Sequence, residues 1–169
     1  NTITSIALYD CTTEKYFTYC FDPHKRIESY EKDNEVVEFY ETEYEMLNQF
    51  FQKYLEIRPT IISGWNSEFF DIPYLYNRAV RILGPELANL LSPISQVIYS
   101  EYKKKHTIAG VSSLDYLQLY RQFTFTMQSS YRLDYIGEVE VGMKKVEYEG
   151  TLNDLYDNDL QTFIDYNIR

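Results

Sequence analysis

Residues 59–78, PTIISGWNSEFFDIPYLYNR, constrain the fold more tightly than any other stretch of the chain. Thr60, Ile61, Ile62 and Ser63 form a short β-branched run closed by Gly64, and residues 72–80 then carry apolar side chains at helical spacing. The order is strand, loop, helix. Asp71 stands at the join, where a short side-chain oxygen can accept from the free N–H groups of the first helical turn, and Pro73 follows where a missing N–H does no harm. Helix capping is therefore the plain reading of Asp71. The loop supplies a second reading: Trp65, Asn66, Phe69 and Phe70 set large rings and an amide beside a carboxylate at the end of a strand, where α/β sheets usually hold ligands. Capping and ligand binding are compatible roles.

The rest of the chain reads outward from this unit. Residues 2–9 alternate as a strand, 10–14 have turn chemistry and 15–21 form a second strand, which together predict a hairpin. The polar residues 22–34 read as an exposed connection, and 35–40 return as a short strand. Thr42 and Glu45 make a capping box ahead of a helix whose Met46, Leu47, Phe50, Phe51, Tyr54 and Leu55 form a continuous apolar stripe. Beyond the central stretch, Gly84-Pro85 breaks a helix and residues 86–91 are a short helical piece. Residues 96–101 and 104–108 predict a second hairpin with Lys103, Lys104, Lys105 and His106 at its turn. That cluster reads as a solvated tip ahead of a DNA contact, and His106 alone is no ligand. Residues 113–123 predict a helix with Leu114, Leu117 and Tyr120 on one face, residues 130–138 another, 151–157 an acidic irregular connection, and 159–169 a terminal helix. Strands followed by strand–helix alternation give an α/β or α+β domain with a mixed sheet.

Composition narrows the class. With 169 residues, 44% of them hydrophobic, the chain can bury one core, and a 17% aromatic share argues against disorder. The net charge of −10 is unfavourable for a protein that grips DNA unaided, because phosphate binding is driven by Lys and Arg. An acidic domain can still process DNA when metal ions and neighbouring domains supply the positive charge. Cys11 and Cys20 are too few for a zinc site; a disulfide across the first hairpin and two free thiols are both open, with the thiols favoured in a reducing cytosol. No apolar run approaches the roughly 20 residues of a membrane span and no signal-peptide pattern opens the chain, so it is read as soluble and intracellular, without a membrane partner.

Gly64-Trp65-Asn66, followed by Phe70-Asp71-Ile72-Pro73-Tyr74 and Asn77-Arg78, resembles the second exonuclease motif of family B DNA polymerases, especially those of T-even-type tailed phages. Residues 112–123, 130–136 and 145–150 resemble downstream segments of the same polymerases, and residues 164–169 resemble the start of their third motif, Tyr-x-x-x-Asp. The resemblance implies the ribonuclease H-like fold of 3′–5′ proofreading exonucleases, a mixed sheet flanked by helices. It also implies single-stranded DNA 3′ ends as substrate, the rest of a polymerase chain as partner, the cytoplasm of a phage-infected host cell as location, and a two-ion magnesium or manganese site as cofactor.

On that resemblance Asp71 is a metal ligand and catalytic residue, and Tyr166 orients the attacking water. Lys145, in Lys-Val-Glu-Tyr-Glu-Gly, offsets charge on the scissile phosphate, with Lys144 as the alternative register. Asn66 and Phe70 contact the frayed nucleotides by amide hydrogen bonding and stacking, and Trp65 is either a third contact or core. The family's Asp-x-Glu pair is not found on the first strand, and the aspartate of the third motif would fall one residue after Arg169. The expectation is one partial domain, residues 1–169, truncated at both ends and inactive alone; a scaffold module of the same fold with a decayed site is the alternative.

Overall fold

In the computed structural model, which describes residues 1–143 and 146–168, the first hairpin is one side of a mixed sheet. β1 (Ser5–Asp10) pairs antiparallel with β2 (Lys15–Phe21), placing Ser5 opposite Cys20 and Asp10 opposite Lys15. β4 (Glu35–Tyr40) runs parallel to β2, β3 (Tyr30–Lys32) runs antiparallel to β4, and the order is β1-β2-β4-β3. This sheet belongs to one compact unit, Asn1–Phe50 with the described part of Gly137–Arg169; Phe51–Ile136 form a second.

In the first unit, α1 (Glu43–Ile57) starts as the capping box requires, with the Glu45 N–H donating to Thr42 Oγ1 at 3.1 Å. Met46 and Leu47 are wholly buried, and Phe50 meets the Tyr19 ring edge-on at 6.1 Å. α7 (Leu160–Ile168) lies on β1 and β2, and Leu160, Phe163 and Ile164 close a core with Cys20, Val37 and Leu155. Both cysteines are free thiols. Cys20 sits five residues along β2 from Lys15, about 16 Å of strand away from the turn that carries Cys11. Burial pushes its thiol up to about 12, which leaves it unreactive.

Two expectations fail in this unit. Residues 151–157 are not irregular: α6 (Leu152–Asn158) opens on a reciprocal cap in which the Asp154 N–H donates to Thr151 Oγ1 at 3.2 Å and the Thr151 N–H donates to Asp154 Oδ2 at 2.8 Å. Its acidic composition hid a helix that buries chiefly Leu155. Nor are residues 22–34 simply an exposed connection. Parallel β2 and β4 need a crossover, and the crossover carries β3 and a charge pair between the buried Asp22 and the more exposed Arg26. Asp22 accepts from the Arg26 N–H at 2.5 Å and from Arg26 Nε at 2.9 Å, while Arg26 Nη1 donates to the Tyr156 carbonyl at 2.7 Å and its guanidinium lies 4.9 Å from the centre of the Tyr156 ring.

Burial alone would raise the Asp22 pKa, but the hydrogen bonds and charge of Arg26 outweigh it and hold the carboxyl below the usual range. A carboxyl depressed in the folded state contributes stability that is present above its unfolded pKa of about 4 and is lost as pH falls through the folded value. Arg26→Ala should therefore cost about 3 kcal/mol at neutral pH by stranding a buried charge. In thermal melts from pH 7 to pH 3, the gap to wild type should narrow in acid. A gap that is constant with pH would mean that Arg26 acts only through Tyr156.

In the second unit, β5 (Ile61–Gly64) pairs parallel with β8 (Ser112–Asp115), with Gly64 opposite Asp115. β6 (Val97–Ser100) and β7 (Lys105–Ile108) form the expected hairpin. α2 (Asp71–Leu83) and α3 (Pro85–Ala88) lead to a 3₁₀ turn whose Leu91 carbonyl accepts from the Tyr54 hydroxyl at 3.0 Å. α4 (Tyr116–Phe123) follows β8, and α5 (Leu133–Val141) begins in this unit. Here too the sequence pattern misplaces elements. Residues 113–115 are strand, so the predicted helix begins only at Tyr116. The second hairpin strand starts at Lys105 rather than Lys104, so Lys105 and His106 lie in β7 as read while Lys103 and Lys104 stay on the tip, with Lys104 at φ 50°.

Candidate functional site

β5 ends at Gly64 and the next six residues form the loop that leads into α2. Gly64 is favoured by contact: a Cβ there would lie 3.0 Å from the Ser67 Cβ, so the loop would have to give. Asn66 takes a left-handed φ of 64°, which an asparagine tolerates better than most residues. Its carbonyl then accepts from the Phe70 N–H at 3.0 Å, and the Ser67 carbonyl accepts from the Ile72 N–H at 2.9 Å.

The residue preceding α2 is Phe70, and no side chain caps the helix. Asp71 is the first helical residue, so the capping reading of its carboxylate is corrected. A cap at Asp71 would have served Pro73, which has no N–H, or Tyr74, whose N–H is already taken by the Phe70 carbonyl at 3.1 Å. Asp71 is open to solvent, yet the protein around it raises its pKa; its own backbone N–H pulls the other way, and the negative charge of Asp115 adds to the rise. The carboxylate is thus held where ionisation is unfavourable, as functional carboxylates often are.

Asp115 is the residue that sequence reasoning missed. It is 3% exposed and its carboxylate is shared by strand, loop and helix. Oδ1 accepts from the Asn66 N–H at 3.0 Å and from the Leu117 N–H at 3.0 Å, and Oδ2 accepts from the Glu68 N–H at 3.1 Å. It caps α4 and fixes the loop in one set of bonds. The signal was an aspartate immediately before the apolar spacing of YLQLYRQF.

Trp65 is half-buried; its Nε1 donates to the Tyr131 carbonyl at 3.1 Å, and its ring lies 6.2 Å from Tyr116 and 5.8 Å from Tyr120. These contacts make it part of the scaffold beneath the loop. Phe70 faces outward, 63% exposed, its ring nearly parallel to that of Tyr74 one helical turn later, at 6.3 Å and 12°. Glu68 closes the loop with an ion pair to Lys105 at 2.6 Å.

The structure therefore brings Trp65, Asn66, Phe70 and Asp71 together on one loop and helix start. Tyr166 lies in the first unit on α7, half-buried, its ring 5.3 Å from Tyr148 and perpendicular to it. Lys145, and its alternative Lys144, lie outside the described residues. Among the described residues no group of three or more His, Cys, Asp and Glu converges as a metal cage. Asp71 offers one carboxylate, and Asp115 has given its oxygens to backbone donors, so these residues alone do not make a two-ion centre. Among them, too, no helix is long and apolar enough to cross a membrane.

The family model described as DNA polymerase family B, exonuclease domain, matches residues 4–136. The chain is 41% identical over 135 residues to the DNA-directed DNA polymerase of Escherichia phage RB69 and 38% identical over 135 residues to that of Enterobacteria phage T4. Each alignment covers 76% of this chain and 15% of the polymerase. More remote is DNA polymerase 1 of Saccharolobus solfataricus, 27% identical over 79% of this chain and 14% of the relative. The chain thus spans about 15% of the length of the phage relatives it matches.

Proposed function

Because the chain belongs to the exonuclease domains of family B DNA polymerases, with the ribonuclease H-like α/β fold of that family, we propose that it is part of a proofreading 3′–5′ exonuclease. It acts on single-stranded DNA 3′ ends inside a larger polymerase chain in the host cytoplasm. The observation that carries the reading is Asp71: a solvent-open carboxylate at the head of α2 that caps nothing, with its pKa raised, beside the exposed ring of Phe70.

Each residue then has a task. Phe70 stacks against a terminal base, a contact that any base can make and that duplex DNA denies because its bases are already stacked. The Asn66 amide, on a backbone held by Asp115, hydrogen-bonds the same strand. Tyr166 orients the water and Lys145 offsets charge at the phosphate. Asp71 would be one ligand of a magnesium or manganese centre, which would supply water activation and leaving-group stabilisation. Hard cations need several oxygen ligands. The chain's own contribution is one carboxylate, and the other ligands come from elsewhere in the polymerase.

The test is hydrolysis of an end-labelled single-stranded oligonucleotide with magnesium or manganese, by this 169-residue chain and by a polymerase that contains it. The polymerase should shorten the oligonucleotide from its 3′ end, while the isolated chain should not. With a net charge of −10 the isolated chain should also bind the oligonucleotide weakly and with steep salt dependence. Nanomolar binding at physiological salt, or a polymerase without nuclease activity, would overturn the reading.

A further inference from the structure

We propose that the ion pair between Lys105 of β7 and Glu68 is a latch that ties the β6–β7 hairpin to the loop carrying Asn66, Phe70 and Asp71, making both positioning residues for that loop. What the latch serves rests on the exonuclease reading; the latch itself rests on geometry.

The pair differs from the chain's surface pairs. Its side chains are 24% and 13% exposed, against 68% and 57% for Lys25 and Glu41. Exposed pairs break and re-form at little cost, whereas parting a largely covered pair leaves each charge short of water. Glu68 is also held at two points: its N–H by Asp115 of β8, its carboxylate by Lys105 of β7. Phe70 and Asp71 follow within three residues, too short a span to move independently of it.

The hairpin end of the latch is equally constrained. Successive side chains of a strand point to opposite faces. Lys105 reaches the loop, and the next residue, His106, turns the other way and is buried between the rings of Tyr76 on α2, at 4.9 Å, and Tyr99 on β6, at 5.0 Å. β7 thus grips the candidate site at both ends, the helix through Tyr76 and the loop through Glu68. A displacement of the hairpin is carried to Phe70 and Asp71 through the Glu68 carboxylate.

Amide hydrogen exchange in this chain tests the latch without any need for catalysis. Glu68→Gln and Lys105→Met should each speed exchange of the amides from Ser67 to Asp71 by about fivefold or more, with the β1–β4 sheet unchanged. The exchanged pair, Glu68→Lys with Lys105→Glu, should restore protection to within about twofold of wild type. In a polymerase containing this segment, the single variants should lower kcat on single-stranded ends more than they raise KM, and the exchanged pair should recover it. If Lys105→Met fails to fold, the milder Glu68→Gln carries the same comparison. Unchanged loop exchange, or acceleration spread evenly over Phe51–Ile136, would overturn the latch. Localised acceleration in a polymerase that never hydrolyses single strands would instead sink the exonuclease reading and leave the latch standing.

Discussion

Replacing Asp115 by alanine should destabilise the chain by about 4 kcal/mol, because three backbone N–H groups lose their acceptor at once. The capping bond to Leu117 accounts for about 1 kcal/mol of that. The remainder comes from the Asn66 and Glu68 amides, which sit in a loop whose left-handed Asn66 has no reason to persist once its N–H is unpaired. Asp115→Asn should cost about half as much, since one oxygen survives while the amide nitrogen faces a donor. The urea midpoint of unfolding is the measurement. A loss below about 1 kcal/mol for Asp115→Ala would show that water replaces the carboxylate and that the loop is not held from β8.

Asp71→Ala should show the reverse signature. A carboxyl whose folded pKa is raised contributes stability below its unfolded pKa and loses it as pH rises through the folded value, so at neutral pH the ionised Asp71 works against folding. Removing it should leave the melting temperature at or above that of wild type. In a polymerase containing the segment, the same change should lower single-strand 3′ hydrolysis by about a thousandfold, which corresponds to about 4 kcal/mol of lost transition-state stabilisation. Tyr166→Phe should lower it by only about tenfold to a hundredfold, through loss of one orienting hydroxyl. The pairing of outcomes separates two aspartates whose charges influence one another: one holds the fold, the other works at its expense. Equal activity in wild type and Asp71→Ala would remove Asp71 from the site.

Much of the local structure was legible because it depends on neighbours in sequence. The Thr42 and Glu45 cap, the apolar stripe of α1, the first hairpin and the strand–loop–helix of residues 59–78 all follow from side-chain period and short-range hydrogen bonding. α6 was lost for a related reason: an acidic heptapeptide with little apolar content reads as loop, although its Thr151 and Asp154 spell out the cap that the structure uses. β8 was lost differently. Nothing within SSLD marks a strand; it becomes one because β5 lies parallel beside it, its paired residues 51 positions away in the chain.

The same division runs through the site. The chain's residue types alone determined that a carboxylate, an amide and two phenylalanines would share one loop at the end of a strand, because they are adjacent in sequence. Which of these face solvent was decided by tertiary structure. Trp65 is turned inward by the Tyr131 carbonyl, Phe70 is left outside, and the Phe70 carbonyl takes the Tyr74 N–H that would otherwise have drawn Asp71 into a cap. Lys105 shows the limit most plainly. Sequence places it in a run of cations, where mutual repulsion and hydration favour solvent; strand alternation and a carboxylate thirty-seven residues away turn it inward, since a covered charge is tolerated only beside its opposite.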